Sequence, residues 1–347
     1  MINKKKKILF FGELPPTSIH GASISNEINL RMLANNYFIT KVVEIYSIKN
    51  HSSGYIIKVF FFISSYLKFI QKSLTNKFDF FYGVIYLSTF GILKNILVVL
   101  IFKITNPKGE IILHFHRSDF KDFQKKKINK CLYNILDFFV DKFILLSESQ
   151  KNDYNLKKNK YFVLKNTIQN EYNFSKTKQK DTKKNSCLKL IYLGNYIKEK
   201  GIIELIKAVI KVNNKDIKFE LNLFGNFASE NLKKEVLTLI DGFEFVKING
   251  PIYDKYKFLK LYESDLLVLP SYNEGVPLVL LESMSIGLPV LISNVGYIQD
   301  ALGEDYPLYC EAKNVNSILQ NLNKYYDLGD KLELNLYMFK KYKKYSH

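Results

Sequence analysis

The 347-residue chain has no tryptophan and only two arginines, Arg31 and Arg117. Its remaining cations are all lysines. Lysine lacks the planar fork that reads guanine or grips phosphate bidentately, so the formal charge of +18 does not by itself describe a nucleic-acid-binding surface. Cysteine is scarce too. Cys131, Cys187 and Cys310 are widely spaced and form no CxxC or Cys/His pattern. That excludes a disulfide framework and a zinc site, and fits a reducing cytoplasm. An uninterrupted membrane-spanning run is also lacking. Residues 84–104 approach the roughly 20 apolar residues a span needs, but Lys94 sits near the middle, Gly91 interrupts and Lys103 closes the stretch. A short strand, a loop and a buried or interfacial helix are expected there. The start, MINKKKKILFFGELPP, has only a short apolar stretch before Glu13 and two prolines. It reads as a lysine run ahead of a buried strand, rather than a signal peptide.

What is present is globular. The chain is 47% hydrophobic and 24% charged, an ordinary balance, and its length suggests two domains. The charge is unevenly placed. Residues 1–170 hold 26 Lys and Arg against 11 Asp and Glu, net +15, whereas residues 171–347 are net +3. A bias toward AT-rich codons would favour Lys, Asn, Ile, Phe and Tyr along the whole gene, so it does not explain the asymmetry. A second apolar, lysine-dotted segment, 55–72, reads as a core helix or a membrane-surface helix.

Short apolar runs alternate with helical patterns. KILFFGE, TKVVEIYSI, FDFFYGVIY, EIILHFH, KFILLSE and YFVLKN precede the polar stretch 169–187; LKLIYLGN, FELNLFGN, FEFVKING, DLLVLPS and PVLIS follow it. Such runs separated by helices predict parallel sheets covered on both faces. The expected class is α/β: two Rossmann-like parallel-sheet domains facing across a cleft, spanning 1–168 and 188–330, with a linker over 169–187. A basic helix over 331–347 is expected to pack back on the first domain.

Residues 266–293, LLVLPSYNEGVPLVLLESMSIGLPVLIS, form a complete strand–loop–helix–strand unit. Leu266–Leu269 is the strand, and Asn273, Glu274 and Gly275 its loop. Pro277 suits the first helical position, and Gly287 ends the helix. Amides around Val276, Leu278 and Val279 would open the helix and, with its dipole, suit an anion such as phosphate. Glu274 lies beside them, and Glu282 about one and a half turns in. Outside this unit's context both glutamates would be solvated surface residues. Within it, Glu282 is set among Leu280, Leu281 and Met284, where a carboxylate rarely sits unpaired.

The run E-G-x-P-x-x-x-x-E-S-M-S-x-G-x-P-V, Glu274 to Val290, closely resembles the donor-site signature of retaining glycosyltransferase family 4. LIYLGNYIKEKGIIELIKAV (190–209) is similar to that family's phosphate-binding loop and helix. Lys200 matches its lysine, and Asn195 stands where an arginine is usual. FELNLFGN, ending at Gly225–Asn226, resembles the turn beside the nucleobase. Gly296 matches a family glycine, and Tyr297 replaces a second one. In the first half, GELPPTSIHGASISNEINLRML (12–33) resembles the loop where paired glycines touch donor phosphates; here only Gly21 fits, after His20. EIILHFHRSDF (110–120) resembles the strand ending in an active-site histidine. His116 is the better match and His114 the alternative, with Arg117 and Asp119 following on the acceptor side.

The resemblance implies a GT-B fold and a retaining glycosyltransferase using a nucleotide sugar, UDP- or GDP-linked. It implies no metal and no other cofactor, and the chain has no Asp-x-Asp motif. The implied catalytic residues are His116, Glu274 and Lys200; donor contacts add Gly21, Asn195, Gly225, Gly275, Val276, Pro277, Leu278 and Glu282. The implied acceptor is a glycan or a polyprenyl-diphosphate-linked sugar, in O-antigen or capsule synthesis. The basic half would then meet an anionic membrane surface, placing the protein on the inner face of the cytoplasmic membrane. Lys4–Lys7, the 58–72 helix and Lys125–Lys127 are candidate contacts. Rival readings are a GT-B-type epimerase or phosphorylase, and a non-catalytic sugar-nucleotide-binding protein. A nucleic-acid partner would leave the 274–290 unit unexplained.

Overall fold

The computed structural model describes residues 5–45, 55–154, 156, 158–168 and 187–346. The chain divides into two units, Met1–Thr167 and Ile168–His347. All but one residue of the expected linker, and Lys4, lie outside the described residues.

The first unit runs β1 (Lys7–Gly12), α1 (Gly21–Leu33), β2 (Phe38–Val43), α2 (Tyr55–Thr75), β3 (Phe80–Val84), α3 (Thr89–Thr105), β4 (Glu110–His114), α4 (Phe120–Gln124), α5 (Lys127–Phe139), β5 (Lys142–Leu145), α6 (Gln150–Tyr154) and β6 (Tyr161–Val163). Its parallel sheet has the order β2-β1-β3-β4-β5-β6. Strand alternation sends neighbouring residues of β1 to opposite faces. Leu9 and Phe11 pack with Tyr66 and Phe69 of α2, Val99 and Phe102 of α3 and Leu136 of α5. Ile8 and Phe10 pack with Leu30 of α1 and Tyr82. Helices α2, α3 and α5 therefore form one layer and α1 covers the other face. No described helix is long and apolar enough to cross a membrane.

The second unit runs β7 (Leu188–Leu193), α7 (Ile202–Val212), β8 (Phe219–Phe224), α8 (Glu230–Ile240), β9 (Val246–Asn249), α9 (Asp254–Glu263), β10 (Leu266–Leu269), α10 (Leu278–Ser285), β11 (Val290–Ser293), α11 (Ile298–Leu302), β12 (Tyr309–Cys310), α12 (Val315–Asp327) and α13 (Leu332–Ser346). Its order is β12-β11-β10-β7-β8-β9, again parallel. Strands β7, β10 and β11 are almost wholly buried, as near-continuous apolar runs require in a sheet covered on both faces.

Three local features differ from expectation. The two-residue β12 has too little periodicity to be read from sequence. Pro277 is the N-cap of α10, not its first helical residue: its ψ of 137° is extended, so the helix begins at Leu278. The C-terminal helix was expected on the first unit. Its apolar residues Leu334, Met338 and Tyr345 instead complete the second unit's core, and α13 packs on α10 and α11.

Candidate donor site and its relatives

In an open parallel sheet, ligands bind beyond the strand carboxyl ends where strand order reverses. In the second unit that point lies between β7 and β10: β8 and β9 extend one way, β11 and β12 the other. The loops after β7 and β10 carry Lys200 and Glu274.

Glycine brings these loops together. Gly201 has φ +70°, and a Cβ there would lie 2.1 Å from the carbonyl oxygen of Pro270. Only a residue without a side chain allows this approach and this backbone angle. The amide of Tyr272 donates to the carbonyl of Glu199 at 2.8 Å, and the Tyr272 hydroxyl donates to Glu204 at 2.8 Å. Lys200 Nζ thereby comes within 2.6 Å of Glu274 Oε1, which also accepts from Ser271 Oγ at 2.8 Å. Gly225 has a similar role one strand away: a Cβ there would lie 2.0 Å from the Gly194 carbonyl oxygen. Its need for glycine is thus a packing need within the protein. Asn195 is exposed at the head of the same loop, and its carbonyl accepts from Tyr192 Oη at 3.1 Å.

Beside the ion pair, α10 begins. The amides of Leu278 and Val279 open it and have no acceptor within the helix. Its N-cap, Pro277, supplies no side-chain acceptor, whereas α3, α8 and α12 are capped by Ser88, Ser229 and Asn314. Gly275 and Val276 are buried just ahead of it. Farther along the helix, the buried Glu282 pairs with Lys257 Nζ of α9 at 2.6 Å. Lys257 escaped the sequence reading because nothing in KYKFLK signals a partner 25 residues away. The unit thus presents two lysine–carboxylate pairs and an uncapped helix start.

The first unit assembles a second polar cluster. His114 ends β4, fully buried, and its ring centroid lies 4.1 Å from that of His116. The Tyr82 hydroxyl accepts from Asn29 Nδ2 at 3.4 Å and lies 2.9 Å from His114 Nδ1, with which it shares a hydrogen bond. His114 Nε2 is buried without a partner. Asn26 Nδ2 donates to the Glu13 carbonyl at 3.2 Å, turning its Oδ1 toward His116. His116 Nε2 therefore donates to Asn26 at 3.0 Å, and Nδ1 keeps its lone pair. Burial, with a smaller contribution from His20, pushes the His116 pKa down to about 3. Burial holds His114 well below its usual range as well. Both imidazoles are neutral near pH 7.

His20 caps α1, accepting from the Ser23 amide, and contacts Glu13. Gly21 follows, and a Cβ there would meet nothing within 4 Å. Arg117 and Asp119 bond each other in the loop after β4. Asn26, Tyr82 and Asn29 gave no signal in the sequence, since each acts only through a tertiary contact. Among the described residues, no cluster of three or more His, Cys, Asp or Glu could hold a metal ion, and all three cysteines are free.

Residues 173–344 match the family model described as glycosyl transferases group 1. TuaC of Bacillus subtilis (strain 168), whose name provisionally makes it a glycosyltransferase of teichuronic acid biosynthesis, is 26% identical over 135 residues, 39% of this chain and 32% of that protein. An uncharacterized glycosyltransferase of Haemophilus influenzae is 27% identical over 139 residues, 39% of this chain and 38% of that one. The matches span about a third of the length of these curated relatives. Solved structures resemble the whole chain. Sucrose-phosphate synthase of Thermosynechococcus elongatus superposes with a TM-score of 0.72 at 13% identity, covering 98% of this chain and 94% of that one. Anabaena HepE, in complex with UDP and glucose, gives 0.71 at 14% identity, covering 98% and 95%. These likenesses establish a GT-B fold, and within it residues 173–344 are similar to the glycosyl transferases group 1 family.

Proposed function

We propose that the protein is a retaining glycosyltransferase that moves a sugar from a nucleotide sugar to a glycan acceptor. The observation that carries this reading is the Lys200–Glu274 pair, set at the sheet's switch point beside the uncapped start of α10. A diphosphate suits the lysine cation and the Leu278 and Val279 amides, which would stabilise the charge that grows on it as the anomeric C–O bond breaks. Glu274 would then hold sugar hydroxyls and Glu282 a ribose, each giving up part of its bonding to lysine. The acceptor oxygen would join the anomeric carbon with configuration retained. His116, neutral and held by Asn26, would offer Nδ1 to a substrate hydroxyl. HepE has been solved in complex with UDP and glucose and with UDP-glucose, and the likeness to TuaC, named for teichuronic acid biosynthesis, supports a bacterial polysaccharide as product. A lipid-linked oligosaccharide for O-antigen or capsule is the acceptor proposed here.

Thermal shift across UDP- and GDP-sugars should single out one donor, because a ligand that binds only the folded state stabilises it by mass action. With that donor, Lys200→Ala and Glu274→Ala should lower transfer at least 100-fold with an unchanged circular dichroism spectrum. Full activity in both variants would reject the site. NMR of the product's anomeric proton would report retention, and an inverted linkage would reject the mechanism.

A further inference from the structure

The outer face of the α2–α3–α5 layer is apolar in a regular way. Exposed Phe60, Ile63, Leu67 and Leu74 of α2 follow the spacing i, i+3, i+7, i+14, and exposed Phe90, Leu93, Leu97 and Ile104 of α3 repeat it. At 100° per residue each set falls within an arc of about 60°, a single stripe. Helix α5 adds Ile128, Ile135 and Phe138, the last 81% exposed. Eleven exposed large apolar residues thus sit on three adjacent helices; among the described residues, the whole second unit has six. The cores of the three helices are satisfied by the sheet below, so the stripes are surplus to folding.

Charge identifies what covers them. Neither α2 nor α3 contains an acidic residue. Lys68 and Lys72 are exposed on the flank of the α2 stripe, and Lys125, Lys126, Lys127 and Lys130 are exposed at and before the start of α5. The single carboxylate of α5, Asp137, is bonded to Lys160. An apolar strip edged with lysines, whose neighbouring carboxylates Asp122 and Asp137 are each bonded to a lysine, on helices that are not long and apolar enough to cross a bilayer, matches the boundary between anionic headgroups and acyl chains. We propose that this three-helix face lies on an anionic lipid surface, with the two stripes entering the acyl boundary. The proposal concerns residues apart from the donor site and stands whether or not the transferase reading does.

The absence of tryptophan gives a direct test. Phe90→Trp introduces a unique fluorophore. With vesicles of phosphatidylcholine and phosphatidylglycerol its emission should shift to the blue, and brominated acyl chains should quench it. Vesicles of phosphatidylcholine alone should bind at least 10-fold more weakly. In co-sedimentation with the mixed vesicles, Phe60→Ser/Leu67→Ser/Leu97→Ser should weaken binding at least 10-fold, and Lys68→Glu/Lys72→Glu should weaken it and reduce its salt dependence. Tyr256→Ser/Leu237→Ser, in the second unit, should bind as the wild type. Circular dichroism checks each variant's fold, and should a stripe variant unfold, the tryptophan reporter in the otherwise native chain still decides. No blue shift, no quenching, or equal binding by the folded stripe variant would overturn the proposal. So would a wild-type dimer that ignores vesicles and that the stripe variant turns into monomers.

Discussion

Lys94 lies in the middle of the most apolar stretch of the chain, and its side chain is turned inward. Its ammonium bonds Glu44 at 2.8 Å, both groups are buried, and the Tyr86 ring lies 4.8 Å from the cation. Tyr86 Oη also donates to Glu44 at 2.9 Å. Removing one member of a buried pair strands the other charge, so Lys94→Ala should cost about 3–5 kcal/mol. Lys94→Met with Glu44→Gln should recover much of that loss in urea unfolding. The histidines make a separate demand. His116 titrates far lower folded than unfolded, so the unfolded chain binds more protons between about pH 3 and the ordinary histidine value near 6.5. Stability is therefore unaffected above that window and falls as pH drops through it. At pH 5 the loss from His116 should be about 1–2 kcal/mol, and His116→Gln should flatten the dependence of Tm on pH. The presence of a polar site on β4 was legible in two histidines one residue apart. The Asn26 and Tyr82 partners that bond the two rings were not, because they come from α1 and β3.

At the scale of elements, Gly201 is the residue on which the construction of the candidate donor site rests. Gly201→Ala puts a methyl against the Pro270 carbonyl and a side chain at positive φ. It should destabilise by about 1–3 kcal/mol, and it should also weaken nucleotide binding by displacing Lys200, which calorimetric titration would measure. A core variant of similar cost that leaves this loop alone, such as Val236→Ala on the buried face of α8, should not weaken binding. Eleven of the twelve strands were legible in sequence because buried parallel strands announce themselves as apolar runs between helical patterns. The glutamate-bearing unit was legible for the same reason, its motif being contiguous. What was hidden was anything set by a neighbour across the sheet: the N-cap position of Pro277, the Lys257 partner of Glu282, and the packing reason for Gly225.

At the scale of the molecule, each unit has its own sheet and its own core. Two cores predict two calorimetric transitions, of which a bound nucleotide should raise only the one belonging to the second unit. A nucleotide that raised both equally, or the other alone, would contradict the placement of the donor site. The net charges of the halves, +15 and +3, were legible from composition, and the structure adds that apolar stripes share the basic half. The destination of the C-terminal helix was not legible, since its apolar face fits any complementary surface and only the Leu334, Met338 and Tyr345 contacts reveal which one it meets.

The Lys200–Glu274 bond joins residues 74 positions apart, with α7, β8, α8, β9, α9 and β10 between them. During synthesis, at about 5–20 residues per second, Lys200 waits about 4–15 s for its partner to be made. On the proposed reading, no nascent chain that stops short of Glu274 can hold a nucleotide between these two residues, so a ligand bound there would stabilise the unit only after six of its elements have been made.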